Sequence, residues 1–154
     1  MKLYHFTNII NGSNIIKNGI LKGKSIFLYP SFTYDILFNS QLKYMRRTYG
    51  SCILEFDNYL LQDYEWSGSL KQNLNSKHNI SKLDDLYFNR PDLGEIKLYT
   101  DLLNIYPYLK TIYLPENLPK CILIKFDKLY QTETEIIFYK NNNEISKTNN
   151  KIIF

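Results

Sequence analysis

A structural zinc centre takes four Cys or His ligands, and this chain of 154 residues has only two of each, so a site would have to recruit every one of them and none is expected. Two cysteines also make no disulfide framework. Cys52 and Cys121 each lie in an apolar run that reads as strand, and a pair of buried free thiols suits a reducing, cytoplasmic setting. No apolar run approaches the ~18 residues of a membrane span. No charged-then-apolar leader opens the chain, so neither export nor membrane contact is expected. Arginine is scarce too. Arg46, Arg47 and Arg90 are all there are, which disfavours any site that needs several guanidinium groups.

What the chain has in quantity is tyrosine, with 14 residues. Tyrosine covers apolar surface while keeping a polar tip, and so suits broad clefts and partner surfaces. Hydrophobic residues make up 44%, enough to bury a core as one domain over residues 1–154. The net charge of +4 is uneven. Residues 1–57 hold seven Lys/Arg against three Asp/Glu, and the remainder balances at twelve against twelve. An anionic ligand or partner is therefore expected near the N-terminal third.

Along the chain, residues 2–6 read as a strand with His5 in its middle. Ser13 is a plausible N-cap for a short helix over Asn14 to Asn18, and Gly19 suits the position after its end. Residues 25–29 read as a second strand. From Ser31 the pattern turns helical, with Tyr34, Leu37, Phe38, Leu42, Met45 and Tyr49 on one face; Lys43 and Arg46 lie opposite, and Gly50 stops it. Ser51 to Asp57 alternates Cys52, Leu54 and Phe56 against Ile53, Glu55 and Asp57, as a strand does. Residues 58–94 read as a long functional loop with one short helix. Strands are expected again over 95–100, 111–114, 120–126, 135–140 and 151–154, the last two as a terminal hairpin. The class is α+β on antiparallel sheets.

Four features fall in order: the strand histidine His5, Ser31-x-x-Tyr34, a basic helix face, and a late strand led by glutamate. This order resembles the ADP-ribosyltransferase superfamily in its His-Tyr-Glu branch. The opening run, Tyr4-His5-x-Thr7 followed by a short helix, is similar to the DNA-modifying DarT-type toxins, and the resemblance covers most of residues 2–126. It implies a split β-sandwich of two antiparallel sheets with a few helices around a cleft for NAD, which is a substrate. The activity implied is mono-ADP-ribosylation of a macromolecular acceptor, protein or nucleic acid, by a toxin or phage effector. A non-enzymatic inhibitor or binding module on the same fold is the alternative. A tRNA 2′-phosphotransferase relative ranks third, because that family's site needs arginines this chain lacks.

Residue by residue, the resemblance puts His5 on the ribose and nicotinamide side of NAD. Thr7, two residues along the strand, adds a hydroxyl to the same face. Ser31 matches the serine that bonds the carboxamide and Tyr34 the tyrosine that stacks on nicotinamide, with Tyr29 competing for that role. A single helical turn would bring Ser31 and Tyr34 to one side; read structurally, they are an N-cap and the start of an apolar face. Arg46, with Lys43 and Arg47, would meet the pyrophosphate or an acidic target, or simply face water. Two places offer the catalytic carboxylate. Glu95 opens EIKLYTDLLNIYPYLKTIYLP much as in DarT-like chains, while Glu133 and Glu135 resemble the Glu-x-Glu loop of arginine-modifying toxins. That second branch expects an arginine in the first strand, where this chain has His5, so Glu95 is favoured.

Overall fold

β1 (Lys2–Thr7) buries Leu3 and Thr7 on one face and Tyr4 and Phe6 on the other. A strand that is apolar on both faces needs neighbours on both edges and a layer on each side, and β1 has them. The computed structural model describes residues 2–23, 30–34, 42–68, 74–75 and 95–139. In it β1 pairs antiparallel with β3 (Cys52–Asp57) at six positions, and with β2 (Ser31–Tyr34) at two, Leu3↔Tyr34 and Tyr4↔Thr33. With β4 (Trp66–Gly68), β5 (Leu74–Asn75), β6 (Glu95–Leu98), β7 (Leu109–Pro115) and β8 (Glu135–Tyr139), the order is β5-β4-β6-β2-β1-β3-β7-β8.

Each face carries its own core. Leu3, Phe32, Leu54, Phe56, Ile96 and Ile112 cover one side, under Ile16 of α1 (Ile9–Asn18) and Phe126 and Leu129 of a 3-10 helix (Ile124–Gln131). Tyr4, Phe6, Ile53, Tyr113, Ile137 and Tyr139 cover the other, under Leu42 and Met45 of α2 (Leu42–Tyr49). A short α3 (Leu60–Asp63) follows β3, inside the region expected to hold one short helix.

The α+β class holds, and so do the strands expected at 2–6, 51–57, 95–100, 111–114 and 135–140. Ladders join all eight described strands in one series, and one pair, β7 with β8, is parallel. A parallel neighbour needs a crossover rather than a tight turn. That crossover is α4 (Lys120–Leu123) and the 3-10 helix, in the stretch read from sequence as a strand. The spacing of Ile122, Phe126 and Leu129 carries the helical signal, and the continuous apolar run from Cys121 to Ile124, which also suits a buried strand, masks it. Cys121 is consequently exposed on a helix rather than buried in a strand, whereas Cys52 is buried and free as expected. Burial alone pushes the Cys52 thiol up to about 12.

Two other elements start where the sequence did not place them. α1 begins at Ile9 because Asn8 is already an N-cap, its side chain accepting from the Asn11 N–H at 2.8 Å. Ser13 is then interior, its hydroxyl donating to the Ile10 carbonyl at 2.7 Å, while Gly19 takes the left-handed cap expected of it. Ser31 to Tyr34 is strand and not the first turn of a helix; the β preference of Phe32, Thr33 and Tyr34 wins, and the helix described after it, α2, spans Leu42–Tyr49. The expected strand at 25–29, the rest of the loop over 69–73 and 76–94, and residues 140–154 fall outside the described residues.

Gly50 ends α2 at φ +127°, where a Cβ would stand 2.3 Å from the backbone carbonyl carbon and oxygen of Thr7. Both the dihedral and the space demand glycine. Gly50→Ala is expected to destabilise the protein by about 3 kcal/mol, seen as a lower urea midpoint at unchanged m value.

Candidate active site

Beyond the Tyr4–Thr33 pair β1 and β2 stop pairing, and a cavity of about 940 Å³ opens beside that point. Its size is at the upper end of the range for small-molecule and cofactor sites, ~300–1,000 Å³. His5, Thr7, Ser31, Thr33 and Glu95 all line it. The next wall is α1 and its cap, which present Asn8, Asn11, Asn14 and Asn18, and the loop after α1 adds Lys22. That loop is held by the Gly23 N–H donating to Asp101 Oδ1 at 3.0 Å and by the Leu21↔Leu102 bridge. Tyr44 and Tyr49 of α2, both largely exposed, complete the lining.

His5 is partly buried, with its Nδ1 2.9 Å from the Ser31 carbonyl oxygen and its ring edge-on to Phe32, 6.0 Å between centroids. A carbonyl only accepts, so Nδ1 carries the hydrogen. In the neutral ring Nε2 is then the acceptor nitrogen. β6 lies across β2 from β1, and in its register Glu95 stands opposite Thr33. Glu95 is exposed at the head of its strand while Ile96 and Leu98 are buried, as their alternation implied.

The structure thus gathers His5, Thr7, Ser31 and Glu95 around one space. The argument that one helical turn aligns Ser31 with Tyr34 falls, because both lie in a strand. Tyr34 closes β2 opposite Leu3, and its side chain, like Tyr29 and His78, is outside what the structure describes. Glu135 begins β8 opposite Thr111, at the far edge of the sheet. Neither it nor Glu133 lines the cavity. Arg46 does not line it either: its guanidinium lies over the Tyr139 ring, 4.3 Å from the centroid, while the Tyr139 hydroxyl bonds the Ser51 carbonyl. Burial raises the Tyr139 phenol pKa, and the Arg46 charge pulls against it. Lys43 and Arg47 are exposed on α2. Among the described residues no group of three His, Cys, Asp or Glu gathers that could hold a metal ion, and no helix is long and apolar enough to cross a membrane.

Sequence reasoning missed one polar residue beneath the site. Glu55 alternates with the apolar Leu54 and Phe56 on β3, yet it is 2% exposed, with the Tyr4 and Tyr113 side chains of the flanking strands against it. Its Oε1 accepts from the hydroxyls of Tyr4, at 3.1 Å, and Tyr113, at 2.9 Å, and lies 3.4 Å from Lys2 Nζ. Burial and then the Glu55 charge raise the Tyr113 phenol pKa. The signal was the uninterrupted apolarity of Ile53, Leu54 and Phe56 around it, which marks a strand buried on both faces.

No protein-family profile matches the chain, and no curated protein matches it in sequence. Solved structures do. Thermus sp. 2.9 DarT in complex with carba-NAD+ superposes with a TM-score of 0.56 at 11% identity, over 92% of this chain and 96% of that one. The same protein in complex with NAD+ gives 0.51 at 10% identity, over 90% and 94%. The chain has the DarT fold. At this identity the likeness to DarT rests on architecture and hardly on shared side chains, and it accounts for the α+β class and for how the strands are laid out.

Arg46→Ala is expected to lower stability by about 1 kcal/mol, from the lost cation–π contact and the packing of its stem. Urea unfolding measures that loss; if Arg46 served the cavity instead, ligand affinity would fall with little change in midpoint.

Proposed function

We propose that the chain is an NAD-dependent mono-ADP-ribosyltransferase that releases nicotinamide and passes ADP-ribose to a macromolecular acceptor, protein or nucleic acid. The setting that suits it is that of a toxin or phage effector acting in the cytoplasm. The observation that carries this reading is a single cavity walled by both His5 and Glu95, in a fold shared with an NAD-bound DarT.

The lining fits such a substrate. NAD brings ribose hydroxyls, a carboxamide and an anionic pyrophosphate. The described lining offers an imidazole, hydroxyls from Thr7, Ser31 and Thr33, a row of asparagine amides, and a cation at Lys22. Amides and hydroxyls both donate and accept, as sugar hydroxyls and a carboxamide require. His5, held through Nδ1 by the Ser31 carbonyl, keeps a fixed orientation and presents Nε2 as an acceptor for a ribose hydroxyl. When the bond between nicotinamide and ribose breaks, its electron pair leaves with nicotinamide and positive charge builds on the ribose. The Glu95 carboxylate is the group on the lining that opposes that charge, and a fixed anion aimed at developing charge stabilises the transition state more than the ground state.

NAD at millimolar concentration is expected to raise the melting temperature, because it binds only the folded chain. Glu95→Gln keeps shape and loses charge, so nicotinamide release should fall ~100-fold or more while NAD binding barely changes. Glu135→Gln should be close to neutral. If NAD produces no melting shift and no nicotinamide appears with any candidate acceptor, the reading is overturned in favour of a binding module.

A further inference from the structure

The strand registers align one residue from each of six neighbouring strands in a single row. Glu135 opposes Thr111, Thr111 opposes Glu55, Glu55 opposes Tyr4, Tyr4 opposes Thr33, and Thr33 opposes Glu95. Directly opposed residues share a face of the sheet. Every member of the row is polar or phenolic, and the row beside it on the same face holds Phe6, Ile53, Tyr113 and Ile137. Burying a carboxylate there is costly unless it is hydrogen-bonded, and Glu55 is, through both tyrosine hydroxyls. The register between β3 and β7 also slips directly beside it, between Glu55 and Phe56, and bulges of this kind re-aim side chains next to sites.

Tyr4, Thr33 and Glu95 are the members of the row that line the cavity, and Tyr4 is the one that joins them to Glu55. The pairing of Tyr4 with Thr33 is the last rung before β1 and β2 part. The Thr33 hydroxyl also donates to the Tyr4 carbonyl at 3.5 Å. Immediately past this rung is His5, and on the same rung, one strand further, is Glu95.

We propose that Glu55 is a positioning residue. By holding the Tyr4 hydroxyl it fixes the rung from which the cleft opens, and so sets His5 on β1 in place relative to Glu95 on β6. This rests on the NAD-transferase reading for its catalytic consequence, though not for its mechanical one.

The test uses Tyr4→Phe, which removes only the hydroxyl, and Glu55→Gln beside Glu55→Ala, since glutamine keeps an acceptor oxygen. Assays run well below every variant's melting temperature. Tyr4→Phe and Glu55→Ala should lower kcat for nicotinamide release about tenfold with KM for NAD within about twofold, and Glu55→Gln should recover most of the loss. Amide hydrogen exchange at Tyr4, Thr33 and Glu95 should quicken about tenfold in Tyr4→Phe, with Ile112 and Tyr113 of β7 unchanged. Unchanged kcat together with unchanged exchange at the rung overturns the proposal, as does a loss of kcat in which Glu55→Gln fares no better than Glu55→Ala. If wild-type protein neither binds nor cleaves NAD, the transferase reading fails, and the exchange measurement alone still decides whether Glu55 sets the rung.

Discussion

β1 is bonded to β3 at six positions and to β2 at two, and the cavity exists because of that inequality. A strand held along one full edge keeps its shape, so the neighbour that leaves it creates space without loosening the sheet. His5 sits where the parting begins, and it exchanges a ladder partner for a side-chain bond to the Ser31 carbonyl. The cores on the two faces fix the sheet on either side of the gap. Hydrophobic burial thus supplies the rigidity, and hydrogen bonding decides where the opening lies.

The basic residues near the N-terminal third divide by role once α2 is placed. Lys43 and Arg47 remain at the surface, while Arg46 turns onto Tyr139 and becomes part of the packing between α2 and β8. A planar guanidinium stacks on a ring more readily than an ammonium does, which explains why an arginine fills that place. Among the described residues the cation that reaches the cavity lining is Lys22, which follows α1 and stands out in no sequence pattern.

The parts legible in the sequence are those in which one local rule acts alone. Glu95 leading a strand with Ile96 and Leu98 inward needed only period-2 alternation, and Gly19 ending α1 needed only the left-handed cap. Where two rules competed, the reading went astray. Ser31 is a good helix cap and also precedes three strand-favouring residues, and pairing with β1 and β6 decided in favour of strand. The stretch from Lys120 holds a short apolar run and also repeats at helical spacing, and the need to cross over to a parallel partner settled it as helix. Glu55 was illegible for a different reason: nothing local says that Tyr4 and Tyr113 of the flanking strands will lie against it. The expectation that His5 and Glu95 share one space came from family resemblance, and both line the cavity that opens beside the Tyr4–Thr33 rung.

The central place of β1 also bears on how the cavity is assembled during synthesis. β1 is made before any of its partners. β2 and β3 follow within a few dozen residues, but Glu95 on β6 arrives only well past the midpoint of the 154-residue chain. Contacts this distant in sequence form slowly, because a long loop must close before they repay its entropy. A nascent chain carrying β1 to β3 therefore holds His5 without the wall that Glu95 provides, and the cavity is complete only once β6 has docked.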